Sequence, residues 1–229
     1  MSDPTSDLTS DPMTAPDFPP ASPDEKSLCT EGQLSFIRRL ERDLRDRMED
    51  VNPRRLAHSL SVATTAESLA VTYGVDPFLA RVSGILHDWD KVVPAGELIG
   101  RARDLGVDLG VELELVEPLL HGIVAARELP ALYPELPAEV FQAIERHTTA
   151  DANMSPLDMV VFVADGIEPL RRGTIGIQET RDLVGNAPLD EVFWKSFTGG
   201  ITYVVATGRY LYPGTIEVYN KLVLRRSAR

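Results

Sequence analysis

Apolar residues recur at intervals of three and four along most of this chain, which is the spacing of one face of an α-helix. In residues 32–49, for example, Ile37, Leu40, Leu44 and Met48 fall on a single stripe. No stretch of any length alternates apolar and polar residues with the period of two that indicates a β-strand. The pattern therefore predicts an all-α protein, a helical bundle with irregular crossing angles.

Prolines divide this pattern into separate helices. Asn52-Pro53, Asp76-Pro77 and Ser155-Pro156 each place a capping side chain directly before a proline, which is typical of a helix start. Residues 173–187 are predicted to be irregular, apart from one helical turn near 180–184. The predicted helices cover approximately residues 32–49, 53–73, 77–88, 96–106, 112–128, 137–147, 156–167, 188–210 and 213–226.

The first 31 residues have a different composition from the rest. They contain six prolines and seven acidic residues against one lysine, a net charge of −6 out of −12 for the whole chain. Such a segment buries too little apolar surface to offset the entropy lost on ordering. We predict a disordered, acidic, Pro/Ser-rich tail over residues 1–31 and one folded domain over residues 32–226. Cys29, the only cysteine, falls in this tail, so the chain has no internal disulfide.

Charge and hydropathy argue against several classes of protein. The acidic balance argues against a general nucleic-acid surface, which is normally basic. The longest strongly apolar stretch, residues 159–164, is far too short to span a bilayer. The N-terminus has neither the basic nor the apolar region of a secretory signal. We expect a cytoplasmic protein with no nucleic-acid or membrane partner.

The four histidines are the candidate chemistry of this chain. A lone histidine on a helix is more often a packed or surface residue, but all four lie on or at the ends of apolar helical segments. Burial of the adjacent His87-Asp88 pair without a partner would cost roughly several kcal/mol, which a bound cation removes. Imidazole and carboxylate together suit iron, manganese or zinc. The candidate metal ligands are His58, His87, Asp88, His121, His147 and Asp165.

Several short strings around these residues resemble a known family, the HD-domain metal-dependent phosphohydrolases. The matching strings are Arg55–Ser59 (R-x-x-H-[ST]), His87–Lys91 (HD-x-x-K), Glu145–Thr148 (similar to a YHT segment) and Val161–Arg171 (similar to A-D-x-I-E-P-x-R). Together with Tyr219-Asn220 they resemble, within that family, the YqeK-type symmetrical diadenosine tetraphosphate hydrolases. The resemblance covers roughly residues 50–222, and it implies an HD-domain helical bundle.

The resemblance also implies a reaction and a cofactor. The expected activity is symmetrical hydrolysis of a small dinucleoside polyphosphate, diadenosine tetraphosphate, to two ADP. The expected cofactor is a dinuclear centre of divalent metal, with iron or manganese as the family metal. One metal would be held by His58, His87, Asp88 and Asp165, and a second by His121 and His147, with Asp88 bridging. A homodimer is possible. Asp88 and Lys91 are the expected catalytic residues.

Four cationic residues are candidates for binding phosphate: Arg55, Lys91, Arg171 and Arg181. For Lys91 and Arg171 phosphate binding is the favoured interpretation, whereas Arg55 and Arg181 are equally compatible with surface ion pairs. The chain departs from the family where Ala150 replaces a glycine after His147, which predicts a differently shaped loop. Two other functions stay open: an HD phosphohydrolase of another nucleotide, such as a mononucleotide or ppGpp, and a metal-stabilised binding protein without turnover.

Overall fold

The computed structural model describes residues 28–172 and 175–228, and every regular element within them is helical. The predicted all-α class is therefore confirmed. A short 3₁₀ turn (Leu113–Leu115) precedes the fifth helix. The α-helices are α1 (Glu31–Met48), α2 (Pro53–Tyr73), α3 (Pro77–Leu86), α4 (Ala95–Asp104), α5 (Glu117–Leu132), α6 (Ala138–Arg146), α7 (Pro156–Ile167), α8 (Ile175–Leu183), α9 (Leu189–Ala206) and α10 (Pro213–Ser227).

The predicted start signals act as caps in the structure. The side chains of Asn52, Asp76 and Ser155 each accept a hydrogen bond from a backbone N–H in the first turn of the helix that follows. Gly74 ends α2 in the left-handed conformation, with φ of 69°. These bonds satisfy backbone groups that a helix end would otherwise leave without partners.

The core lies around α2 and α3, which pack closely. A Cβ atom at Gly84 of α3 would lie 2.6 Å from the Cα atom of Ala63 of α2, so only glycine allows this distance. One buried apolar cluster joins α1, α2, α3, α5 and α6, and another joins α2, α3, α6, α7 and α9. The close crossing of α2 and α3 places His58 beside His87, with ring centroids 5.4 Å apart.

The structure differs from the predicted elements mainly at α8. The segment predicted to be mostly irregular forms a helix from residue 175 to residue 183. Gly176 lowers the intrinsic helix propensity there, but α8 packs against α7 and α9, and tertiary packing of this kind commonly outweighs propensity.

The predicted tail lies mostly outside the described residues, which begin at residue 28. The last residues assigned to it are ordered: Cys29 is buried against the core, and Thr30 forms a capping box with Gln33 at the start of α1. Among the described helices, none is both long and apolar enough to cross a membrane.

Candidate metal centre

Five helices bring the six candidate ligands to one place in the interior. His58 lies in α2, His87 and Asp88 follow the last turn of α3, His121 lies near the start of α5, His147 caps α6, and Asp165 lies near the end of α7. The histidines and Asp88 are buried, and the Asp165 side chain is about one-fifth exposed. Residues 107 positions apart in sequence therefore meet only because the helices pack in this order.

Three of the histidines are oriented by the same backbone contact. Nδ1 of His87, His121 and His147 lies 2.7, 3.0 and 2.6 Å from the carbonyl oxygen three residues earlier. Because a carbonyl oxygen only accepts, Nδ1 carries the proton and donates it. In the neutral ring Nε2 then has a free lone pair, which is the form that binds a metal. Burial lowers the pKa of His147 to about 3, which keeps its ring neutral.

The Asp88 carboxylate lies between two groups of histidines. Its Oδ2 atom is 3.6 Å from His58 Nε2 and 3.3 Å from His87 Nε2. Its Oδ1 atom is 3.0 Å from His121 Nε2 and 3.9 Å from His147 Nε2. Either group, taken with Asp88, offers ligand atoms that all lie within 4.8 Å of one another. The carboxylate is thus placed to serve two cation sites at once.

The donor atoms fit divalent cations. Nε2 of His121 and Nε2 of His147 face each other at 3.0 Å, although neither carries a proton when Nδ1 donates to a carbonyl. Nε2 of His87 is buried and has no hydrogen bond within the described part of the chain. Two ligand atoms that each lie about 2.1 Å from one ion are roughly 3 to 3.5 Å apart, and the distances from Asp88 to His87 (3.3 Å) and His121 (3.0 Å) fall in this interval. A cation would satisfy these inward-facing lone pairs.

The ring of His58 is held by two carboxylates. Its Nε2 atom lies 3.0 Å from Asp165 Oδ1, and its Nδ1 atom lies 3.0 Å from Glu168 Oε1. Burial lowers the pKa of His58, but the two carboxylates outweigh burial and raise the pKa to about 9. Glu168 is almost fully buried and also accepts from the backbone N–H of Leu170 at 2.7 Å. It is therefore placed to fix the orientation of His58.

Sequence reasoning did not select Glu168 as a site residue. The available signal was its place three residues after Asp165 in the string that resembles the family box. Gly122 was also missed, although it directly follows His121. A Cβ atom there would lie 2.8 Å from His147 Cε1 and 2.8 Å from the Ile144 carbonyl oxygen, so glycine is needed for α5 to approach the His147 ring.

The loop after His147 contains a strained residue. Ala150 is buried and has φ of 58°, the left-handed region that favours glycine. Its N–H donates to the Arg146 carbonyl oxygen at 2.9 Å, which closes the turn after α6. Alanine thus adopts the left-handed conformation at this position, at a strain of about 1–2 kcal/mol.

Two of the four predicted phosphate-binding cations lie at the cluster of candidate metal ligands. Arg55 donates to Asp88 Oδ2 at 2.6 Å, and Arg171 donates to Asp165 Oδ1 at 2.6 Å. Burial would raise the pKa of both carboxyl groups, but charged and hydrogen-bonding neighbours outweigh it and hold both pKa values below their usual range. Both guanidinium groups remain partly exposed and can reach a ligand in solvent.

Lys91 and Arg181 are placed differently. The Lys91 ammonium group lies behind His121, donating to the Pro118 carbonyl oxygen at 3.1 Å, and burial lowers its pKa. Arg181 donates to the carbonyl oxygens of Ile167, Glu168 and Arg171. Neither residue lines a cavity that opens beside the cluster of candidate ligands. The Arg181 contacts hold the turn that carries Glu168 and Arg171.

An apolar cavity of about 510 Å³ opens on one side of the cluster, and we call it the apolar pocket. Phe162, Ile177 and Tyr203 are among its lining residues, and His147, Asp165 and Arg171 form its inner end. A pocket of this size with apolar walls and a few polar groups suits a small organic ligand. Its inner end places such a ligand directly against the candidate metal ligands.

An all-helical bundle that gathers four histidines and two aspartates into one largely buried cluster has the architecture of an HD-type metal-site protein. The model of the HD domain family matches residues 55–170, and the chain therefore belongs to this family. The resemblance seen in the sequence is confirmed.

Two relatives of this chain carry the same printed name. It is 34% identical over 176 residues to bis(5'-nucleosyl)-tetraphosphatase, symmetrical, of Staphylococcus aureus, covering 75% of this chain and 88% of that protein. It is 32% identical to the protein of that name from Halalkalibacterium halodurans, covering 75% of this chain and 90% of that protein. It also resembles the crystal structure of a "predicted HD superfamily hydrolase involved in NAD metabolism" from Clostridium acetobutylicum, with a TM-score of 0.73, 32% identity, and coverage of 82% of this chain and 97% of that one.

Proposed function

We propose that this protein is a metal-dependent phosphohydrolase that cleaves diadenosine tetraphosphate symmetrically to two ADP. The observation that carries the proposal is the Asp88 carboxylate, which lies between two pairs of histidines whose Nε2 atoms face inward. We further propose a dinuclear centre of iron or manganese, held by His58, His87, Asp88 and Asp165 on one side and by Asp88, His121 and His147 on the other. The relatives that carry the tetraphosphatase name support the choice of substrate.

The reaction replaces one phosphoanhydride bond with water. A water oxygen bonds to one of the two central phosphorus atoms, and the bond from that atom to the central bridging oxygen breaks. The electron pair leaves with the bridging oxygen, which becomes the terminal oxygen of one ADP, and the protons of the water pass to the products and solvent. Divalent cations held by these residues would supply Lewis acidity, which would activate water and neutralise charge on the phosphoryl oxygens.

The chain itself binds and orients the substrate in this proposal. Arg55 and Arg171 place positive charge at the edge of the cluster, where a central phosphate would lie. The apolar pocket receives one nucleoside and limits the access of bulk water on that side. Lys91 and Arg181 are positioning residues, since Lys91 contacts His121 and Arg181 holds the turn that carries Arg171.

Product analysis after incubation of the metal-loaded protein with diadenosine tetraphosphate tests the function. We expect ADP as the only nucleotide product, and no product from Asp88→Ala loaded in the same way. AMP plus ATP as the only products would contradict symmetrical cleavage. A panel containing mononucleotides and ppGpp separates the proposal from another phosphohydrolase, and a metal-loaded protein inert toward the whole panel would indicate a binding protein.

A homodimer is also proposed. Four large apolar side chains at the end of α9 and on α10 are exposed by 45% to 71%, and a symmetric interface would bury them: Tyr203, Val205, Ile216 and Leu224. Light scattering of the full chain tests this proposal, and a molar mass near the monomer value of 25.2 kDa would contradict it.

A further inference from the structure

A second cavity, of about 560 Å³, opens beside the cluster of candidate metal ligands, and we call it the arginine groove. It is lined by Arg54, Arg55 and Arg171, and by His58 and Glu168 at the cluster. Of the residues that line it, only Arg171 also lines the apolar pocket. The outer ligands divide the two cavities: His58 faces the groove, whereas Asp165 and His147 face the pocket. A ligand bound at the cluster can therefore extend in two directions.

The groove is cationic. Its one acidic side chain, Glu168, is already engaged by His58 Nδ1 and by the backbone N–H of Leu170. Arg55 and Arg171 each pair with a cluster carboxylate. Arg54 is exposed and its side chain makes no ion pair or hydrogen bond to any described residue. The groove thus offers one whole positive charge that no described residue neutralises, at the start of α2, where the helix dipole adds to it.

The two cavities differ in what they can recognise. The apolar pocket has aromatic and aliphatic walls, against which a nucleobase can stack. The residues lining the arginine groove include no Phe, Tyr or Trp, and its apolar members are only Ala57 and Leu170. Guanidinium groups bind phosphate oxygens whatever base lies beyond them.

We propose that the arginine groove binds the second nucleoside diphosphate half of the substrate, through its phosphates and without selecting its base. The inference rests on the proposed function, because it assigns the two halves of a symmetrical substrate to two unlike subsites. Arg54 is its specific residue. The enzyme would then read one nucleoside, in the apolar pocket, and accept a wide range of groups beyond the second diphosphate.

Charge reversal at Arg54 tests the subsite. We expect Arg54→Glu to raise the KM for diadenosine tetraphosphate roughly tenfold, with kcat changed about twofold or less, and to do so more strongly at low ionic strength. Arg42→Glu is the matched control, since Arg42 is likewise exposed, has no bonded partner among the described residues and lines neither cavity. Equal KM values for the two variants would overturn the groove assignment. Absence of ADP with the wild-type protein would instead overturn the proposed function.

A substrate without the second nucleoside tests whether the groove ignores the base. Adenosine 5'-tetraphosphate keeps all four phosphates, and cleavage at the same bond gives ADP and pyrophosphate. We expect its kcat/KM to lie within about tenfold of that of the dinucleotide, and Arg54→Glu to raise both KM values by the same factor. A loss of roughly a hundredfold or more on removing the nucleoside would overturn the assignment of a phosphate-only subsite.

Discussion

Asp88 and Asp90 lie two residues apart on one turn, and both are buried, yet their surroundings differ in kind. Asp90 accepts from Arg47 at 2.7 Å and from Arg101 at 3.0 Å, so each of its oxygen atoms has a donor. Asp88 accepts a hydrogen bond from Arg55, but the Nε2 atoms of all four histidines also face it. In His87, His121 and His147, Nδ1 donates to a carbonyl oxygen, so Nε2 of the neutral ring carries no proton. The Asp90 carboxylate has a hydrogen-bond donor for each oxygen, whereas the Asp88 carboxylate lies among histidine lone pairs that have no donor among the described residues.

The comparison shows how to separate a structural buried charge from a functional one. Burial raises the pKa of Asp90 even though Arg101 and Arg47 oppose it, so this group fixes the turn more than it stabilises the fold. Around Asp88 the excess is of electron-pair donors, which a bound cation would satisfy. Burial and charge alone would not have told these two residues apart.

The largest expected effect in this comparison is that of Asp88→Ala on metal content. Loss of the shared carboxylate removes a ligand from both histidine groups, so we expect the purified variant to bind neither metal and its turnover to fall about a thousandfold or more. Elemental analysis of the variant and the wild-type protein after identical loading measures the first effect. Full retention of two metals by Asp88→Ala would refute the bridging role.

Asp90→Ala should show the opposite behaviour. Its removal leaves two partly buried guanidinium groups without their shared acceptor, so we expect the free energy of unfolding to fall by about 3 kcal/mol. This loss of stability is at the low end for a broken buried pair, because Arg101 retains its ion pair with Glu128 and Arg47 retains its hydrogen bond to the Trp89 carbonyl oxygen. Denaturant unfolding measures the change, and elemental analysis should find the wild-type metal content. Metal loss in this variant would end the distinction between the two aspartates.

A smaller effect is expected at Glu168, whose carboxylate already has two partners, His58 Nδ1 and the backbone N–H of Leu170. Glu168→Gln keeps the shape but removes the charge that faces His58 Nδ1, so we expect metal affinity to fall roughly tenfold to a hundredfold. Competition with a chelator gives the dissociation constant independently of turnover. Glu139→Gln, an exposed change on α6, is the control. Equal affinities in the two variants would show that Glu168 only fills space.

Much of the helical framework could be predicted from local sequence. The caps at Asn52, Asp76 and Ser155 and the apolar stripe of α1 are local signals, and local backbone physics decides them. Only the end of helix α8 was predicted, as one turn near residues 180–184, because the rest depends on packing against α7 and α9 and not on its own propensity. The six candidate ligands were also selected from sequence, since rare histidines in apolar helical segments and the family strings mark them.

The sequence by itself determined most of the helices, the order of the histidines and aspartates, and the family they resemble. The tertiary structure alone decided that Asp88 lies between two pairs of histidines and that Glu168 holds His58 from 110 residues away. It decided as well that Arg181 donates hydrogen bonds to backbone carbonyl oxygens. It also decided that Arg54 faces a groove. The physical reason is that hydrogen bonds and ligand sets depend on distances of about 3 Å, which helix packing fixes and no local pattern encodes.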